Sequence, residues 1–183
     1  MKYENLFPIH FALNLQNTNL ITWTNKSTTT NTVMCWVDRT WFFLLNQLLK
    51  HDLYCLNTWV VDQTAIDNLL NDQFIKNTSR LTLMTTFYSY FSKTRTILLT
   101  NTNGRSVFSV DGIFKNCNWL EREISEMYGL HFEFKTDSRK LLLDYSKIEH
   151  PMLKDFPSEG VRDVFYDILD NQVTITSNET TEL

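Results

Sequence analysis

"RLTLMTTFYSYFSKTRTILLT", residues Arg80 to Thr100, holds two stretches of strand-like sequence separated by a short polar connection. Leu81, Leu83, Thr85 and Phe87 fall on one side of the first stretch, and "TRTILLT" supplies the second. The pair reads as an antiparallel hairpin. Its neighbours extend the pattern. "TVMCWV" (Thr32 to Val37) is rich in β-formers, and "YCLNTWVV" (Tyr54 to Val61) reads as a buried strand closed by the polar "DQTAIDN". Between them Asp38 stands as a cap ahead of "RTWFFLLNQLLK". There Trp41, Leu44, Leu45, Leu48 and Leu49 recur at helical spacing as one broad apolar face. The order β-α-β-β-β-α with short links predicts an α+β fold, a mostly antiparallel sheet with helices on one face.

A chain of 183 residues has the length of one domain. The pattern places that domain at residues 32–145. Residues 1–31, with the polar run "TNKSTTTN", read as an irregular arm with at most one short strand near Phe11. Residues 146–183 read as an extended partner-docking segment and a polar tail. Apolar residues make up 43% of the chain, with 13 Phe and 5 Trp, enough for a sizeable core. No apolar run reaches the ~18–20 residues that span a bilayer. The longest, "WFFLLNQLL" from Trp41, is broken by Asn46 and Gln47. Any attachment to a membrane is therefore expected to run through partners.

Charge is unevenly placed. Residues 1–120 carry ten Lys/Arg against seven Asp/Glu, and residues 121–183 carry seven against fourteen. No basic footprint for nucleic acid is present, and the acidic C-terminal third suits basic protein partners. Cys35, Cys55 and Cys117 are far apart and form no metal-ligand spacing, so they read as structural thiols. Gly (4), Pro (3) and Ala (Ala12 and Ala65) are scarce while Asn, Thr, Phe and Leu abound, a bias against GC-rich codons that suggests an organelle's genome. No targeting presequence or signal-peptide core stands at the N-terminus, as expected of a chain made where it works.

The densest charge cluster is "NWLEREISEMYGLHFEFK", Asn118 to Lys135. Asn118 and Glu121 are spaced as a capping box, and Leu120, Ile124 and Met127 form an apolar stripe ended by Gly129. Glu121 and Glu123 suit the first helical turn, and Arg122 is spaced to pair with Glu126. Two carboxylates two positions apart on a helix point to different sides, whereas a paired-carboxylate catalyst needs both on one cleft. After the helix Leu130, Phe132 and Phe134 alternate with His131 and Glu133 as a half-buried strand, with His131 on the water side. Beyond it Pro151 and Pro157 force extended backbone in "HPMLKDFP". Met152, Leu153 and Phe156 there must find cover on their own sheet or on a partner, with Lys154 and Asp155 as rim charges.

These residues resemble a known family. "EREISEMY" (Glu121 to Tyr128, including Arg122, Glu123 and Glu126), Lys135, "RKLL" from Arg139, and Asp144-Tyr145 follow one another as in the NuoC-type subunit of respiratory complex I, called subunit nine in mitochondria. The resemblance continues through His150-Pro151, "KDFP" (Lys154, Asp155, Phe156, Pro157), Gly160 and Tyr166-Asp167, and upstream through "DQTAID" and Asn118-Trp119-Leu120. It covers about residues 33–167, and the signature positions would serve as interface. Between Tyr145 and His150 the chain has "SKIE" where the family usually has a glycine-containing "GFEG", which puts the local turn geometry apart from the family's. The resemblance implies a peripheral-arm subunit of NADH:ubiquinone oxidoreductase on the matrix side of the mitochondrial inner membrane. It implies no catalytic, cofactor or metal site on this chain, with FMN and iron–sulfur clusters on other subunits. The implied partners are the quinone-site (NuoD-type) and NuoB-type cluster subunits, with room for lineage-specific accessory subunits. The alternatives are a free-standing interaction module and a small hydrolase using Glu121, Glu123 or Asp137 with His131.

Overall fold

Three antiparallel pairings and one helical crossover build the main sheet. The computed structural model describes residues 21–27, 32–51, 57–69, 79–91, 93–145 and 149–178. The strands are β1 (Ile21–Ser27), β2 (Thr32–Val37), β3 (Asn57–Asp67), β4 (Leu81–Ser89) and β5 (Thr94–Asn101), in spatial order β1-β2-β5-β4-β3. The α+β class and the hairpin of β4 with β5 hold, with Phe87 opposite Thr96 and Leu83 opposite Thr100. The sheet is mixed, not mostly antiparallel, because β2 and β5 run parallel. The helix α1 (Arg39–His51) carries the chain from β2 to the far edge at β3. Two antiparallel turns then bring β5 back beside β2 in the direction of β2.

Two further expectations about the strands change. Residues 21–27, read as part of an irregular arm, pair antiparallel with β2, so a polar segment becomes an edge strand through its backbone ladder. "DQTAID" continues β3 as far as Asp67 and does not close it. Its Gln63, Ala65 and Asp67 alternate into the buried face. The strand expected near Phe11 and the thiol of Cys55 lie outside the described residues.

The buried face is a row across the sheet. Cys35 pairs with Leu98, Leu98 with Thr85 and Thr85 with Gln63, and all four are buried. Phe42, Leu45 and Leu49 of α1 join this core, as do Cys117 and Ile124 of α2 (Cys117–Tyr128). The buried face of α1 therefore differs from the expected one. Phe42, Leu45, Asn46 and Leu49 turn inward, while Trp41, Leu44 and Leu48 are exposed. Apolar side chains occupy most of the circumference between Trp41 and Leu49, so spacing alone does not choose among them. Asn46 fits the core by donating from Nδ2 to the Phe42 carbonyl at 2.7 Å.

The helix α2 is flanked by β6 (Ser106–Phe108) and β7 (His131–Glu133), which pair in parallel with Val107 opposite Phe132. A second hairpin, β8 (Arg162–Asp167) with β9 (Gln172–Ser177), ends the described chain. Among the described residues no helix is long and apolar enough to cross a membrane.

Candidate functional site: a strap bound to the second helix

Three charged residues of α2, Glu121, Arg122 and Glu126, reach other elements and not one another. The helix begins at Cys117 after Asn116, earlier than a cap at Asn118 requires, so no capping box forms. Glu121 falls in the second turn with its side chain sealed from water. It accepts from Ser109 Oγ at 2.6 Å, the Val110 N–H at 2.8 Å and Lys135 Nζ at 3.0 Å. Asp111 adds a carboxylate 3.7 Å from the same Nζ. Burial pushes the Glu121 carboxyl above its ordinary value, against the pull of these donors.

Arg122 does not pair with Glu126. Its Nε and Nη2 donate to the carbonyls of Arg139 at 2.7 Å and Lys140 at 3.0 Å, and Nη1 lies 3.6 Å from Asp137. Glu126 accepts the backbone N–H groups of Leu141, Leu142 and Leu143. One turn of helix thus holds the carbonyls of residues 139 and 140 and the amides of residues 141–143. The reach arises because these residues, between Lys135 and Pro151, lack regular structure of their own and must satisfy their backbone groups elsewhere.

The strap is held again further on. His150 Nδ1 donates to the Glu126 carbonyl at 2.7 Å, and the Met152 N–H donates to the Met127 carbonyl at 3.1 Å. Gly129 caps α2 with φ of 69° and donates its N–H to the Ser125 carbonyl, as expected of it. The His150 ring lies so close that a Cβ at Gly129 would stand 2.7 Å from it. Two constraints, a left-handed backbone and a ring overhead, meet at this glycine.

The "KDFP" segment is then fastened to β3. Arg80 donates to Asp67 (Nη2 to Oδ2, 3.0 Å) and to Asp155 (Nη1 to Oδ2, 3.0 Å). The Lys154 N–H donates to the same Asp67 oxygen at 3.0 Å. Burial alone raises the Asp67 carboxyl, but Arg80 and the N–H groups of Lys154 and Leu69 outweigh it and hold it below its ordinary value. Arg80 holds Asp155 low as well. Asp155, expected as a rim charge, is thus bonded within its own chain. Leu153 packs on the core, Pro151, Phe156 and Pro157 are half-buried, and Met152 and the Lys154 side chain face outward.

The remaining signature residues lie outside this fastening. Glu123 is exposed on α2. Arg139 is largely exposed and pairs with Asp137 at 2.9 Å, which holds the Asp137 carboxyl well below its usual range. The Asp144 carbonyl accepts from Lys140 Nζ, and the exposed Tyr145 donates its hydroxyl to the Lys140 carbonyl at 3.2 Å. His131 is exposed, as expected. Phe134 is not on the buried side. Its backbone turns left-handed (φ 60°) as β7 ends, and its exposed ring stacks on Phe108 with centroids 5.8 Å apart.

Arg122, Glu126, Lys135 and His150 line one cleft of about 420 Å³. Glu149 and His131 also line it, while Glu126 is spent on three amides and Glu121 is sealed, so neither of these two is placed to exchange a proton with a substrate. Among the described residues no group of three or more His, Cys, Asp or Glu is placed to hold a metal ion. Arg80, Asp111 and Ser109 were not singled out from sequence. The side chains that tie them to other elements lie 12 to 75 positions away, beyond any local pattern. The hairpin of β8 and β9 had a legible signal. Val164 and Tyr166, then Val173 and Ile175, alternate on either side of Asp170-Asn171.

Comparison with known proteins agrees with the signature. The model of the family described as "Respiratory-chain NADH dehydrogenase, 30 Kd subunit" matches residues 35–162. NADH-ubiquinone oxidoreductase subunit 9 of Paramecium primaurelia is 32% identical over 191 residues, covering 100% of this chain and 90% of the relative. The protein of the same name from Dictyostelium discoideum is 35% identical over 115 residues, 62% of this chain and 54% of the relative. Among solved structures, a trypsin-resistant fragment of Nqo5 superposes with a TM-score of 0.57 at 14% identity, covering 70% of this chain and 98% of the fragment. A chain of an archaeal membrane-bound sulfane sulfur reductase gives 0.61 at 17% identity, covering 79% and 81%.

Proposed function

This chain belongs to the family of the 30 kDa, NuoC-type subunit of the respiratory-chain NADH dehydrogenase, complex I, and we propose that it serves there as a non-catalytic docking subunit. In this reading it clamps the quinone-site subunit, with the cluster-bearing NuoB-type subunit beside it, on the matrix side of the inner membrane. Flavin and iron–sulfur clusters reside on other chains.

One observation carries the reading. The β8–β9 hairpin leaves Val164, Tyr166, Val173 and Ile175 exposed, each by more than half, with Ile168 and Leu169 bare at its tip. An isolated two-stranded hairpin is marginal in water, and a contiguous exposed apolar surface marks an interaction site. The docking role expected for residues 146–183 therefore divides in two. Residues 149–157 strap back on the domain, and residues 161–177 are left to meet a partner. The hydrolase alternative is disfavoured by the engagement of Glu121 with Ser109, Val110 and Lys135 and of Asp137 with Arg139 and Arg122.

Copurification tests the reading. Full-length chain carrying Val164→Ser and Ile175→Ser should keep its melting behaviour and lose coprecipitation with the quinone-site subunit. Unchanged recovery of that subunit would reject a docking role for the hairpin.

A further inference from the structure

The hairpin is two-faced, and it lies in the most acidic segment of the chain. Val164 pairs with Ile175 and Tyr166 with Val173, which puts the four apolar side chains on one face. Asp163, Phe165 and Asp167, opposite Thr176, Thr174 and Gln172, form the other face. Residues 158–183 hold Glu159, Asp163, Asp167, Asp170, Glu179 and Glu182 against Arg162 alone, a net charge of −5 within a chain of −4. All the excess negative charge of the protein thus sits in the segment that bears the bare apolar face.

The tip is preformed. Asp167 Oδ1 accepts the Leu169 N–H at 2.9 Å, and Asn171 takes the left-handed conformation (φ 50°) that closes the turn. Asn178 donates its N–H to the Val161 carbonyl at 3.0 Å and closes the base. These tip and base bonds reduce the ordering that docking would require, and such pre-organisation favours binding.

From these facts we propose that the hairpin seats its Val164–Tyr166–Val173–Ile175 face in an apolar groove of the partner that is rimmed by lysine or arginine. The inference rests on the docking reading above and adds the chemistry of the surface that receives the hairpin. A second copy of this chain is a poor occupant, because face-to-face hairpins bring together two acidic elements, each of net −2 within a segment of net −5. A basic rim does the reverse. It draws the hairpin in at long range, while the apolar floor retains it, so the two kinds of residue act on different rate constants.

Association kinetics separate them. Full-length chain is captured on immobilised quinone-site subunit at increasing sodium chloride. For the unaltered chain the association rate should fall at least tenfold between 20 and 300 mM salt, over which screening shortens from roughly 20 to 6 Å. The Glu159→Lys, Asp170→Lys variant changes two exposed charges outside the strand ladder. It should associate at least tenfold more slowly at low salt, with a flattened salt dependence and little change in dissociation. The Val164→Ser, Ile175→Ser variant should instead dissociate at least tenfold faster. A salt-independent association rate, or faster association of the lysine variant, overturns the basic rim while leaving the docking role standing. If the serine variant binds and dissociates as the unaltered chain does, the docking role falls, and the rim with it. Self-association of the unaltered chain through the same face, abolished by the serine pair, also overturns the proposal.

Discussion

Lys135 Nζ lies 3.0 Å from Glu121 Oε2, and both side chains are almost wholly withdrawn from water. A buried ion pair adds little over an apolar pair of the same volume, but loss of one partner strands the other. Glu121→Ala should therefore destabilise the full chain by about 3–5 kcal/mol. Glu121→Gln should cost less, since it keeps an acceptor for the Val110 N–H. Lys135→Met with Glu121→Leu should recover much of the loss. Urea melts of the four proteins check this, and a Glu121→Ala chain as stable as its parent would refute the buried pair.

The second prediction concerns the Arg80 latch. Asp67 and Asp155 both titrate below their ordinary value of 3.8 in the fold. Their contribution to stability is present above that value and is lost as pH falls through the lowered ones. The Lys154 amide, bonded to Asp67, should be protected from hydrogen exchange at pH 7. After correction for intrinsic rates, that protection should decline below about pH 3.8. Arg80→Met should loosen the same amide at neutral pH while β4 and β5 keep their protection. Equal protection of Lys154 in both proteins would show that the strap is held otherwise.

Arg122→Ala strips donors from the carbonyls of Arg139 and Lys140, and Glu126→Ala strips the acceptor from three amides. Each lost bond with a charged group costs about 1.5–3 kcal/mol, above the 0.3–0.5 kcal/mol of an exposed helix pair. Both variants should lower the amount of assembled complex severalfold. The NADH oxidation turnover of each remaining complex should stay near normal. Normal abundance with lost turnover would point to chemistry on this chain.

Burial pushes the thiols of Cys35 and Cys117 up to about 12. The thiolate is the reactive form, so iodoacetamide at pH 8 should leave both unmodified in the folded chain and alkylate them in 6 M guanidinium. Mass spectrometry of the tryptic peptides distinguishes the cases. Rapid labelling of Cys117 in the native chain would contradict its burial at the start of α2.

The hairpin of β4 and β5 was legible in the sequence because its two halves are near neighbours with a clear period. The parallel pairing of β2 with β5 was not, since nothing local records which strand lies at the far side of a sheet. The inward face of α1 was blurred by its own richness in apolar side chains. At the candidate site, the important residues of α2 could be named from the motif, but their partners could not. Glu121 looks like a first-turn carboxylate until Ser109 and Lys135 converge on it, 12 and 14 positions away in opposite directions. The β8–β9 face is a different case, a legible alternation hidden inside a segment read as extended and polar.

Glu126 grips the strap through main-chain amides, which every residue except proline possesses. Mutational tolerance should therefore be lopsided. Random replacement at positions 141, 142 and 143 should be widely accepted as far as this grip is concerned, with proline barred, whereas position 126 demands an acceptor of the right reach. The leucine side chains at the three grasped positions are left open to change without loosening the hand that holds them.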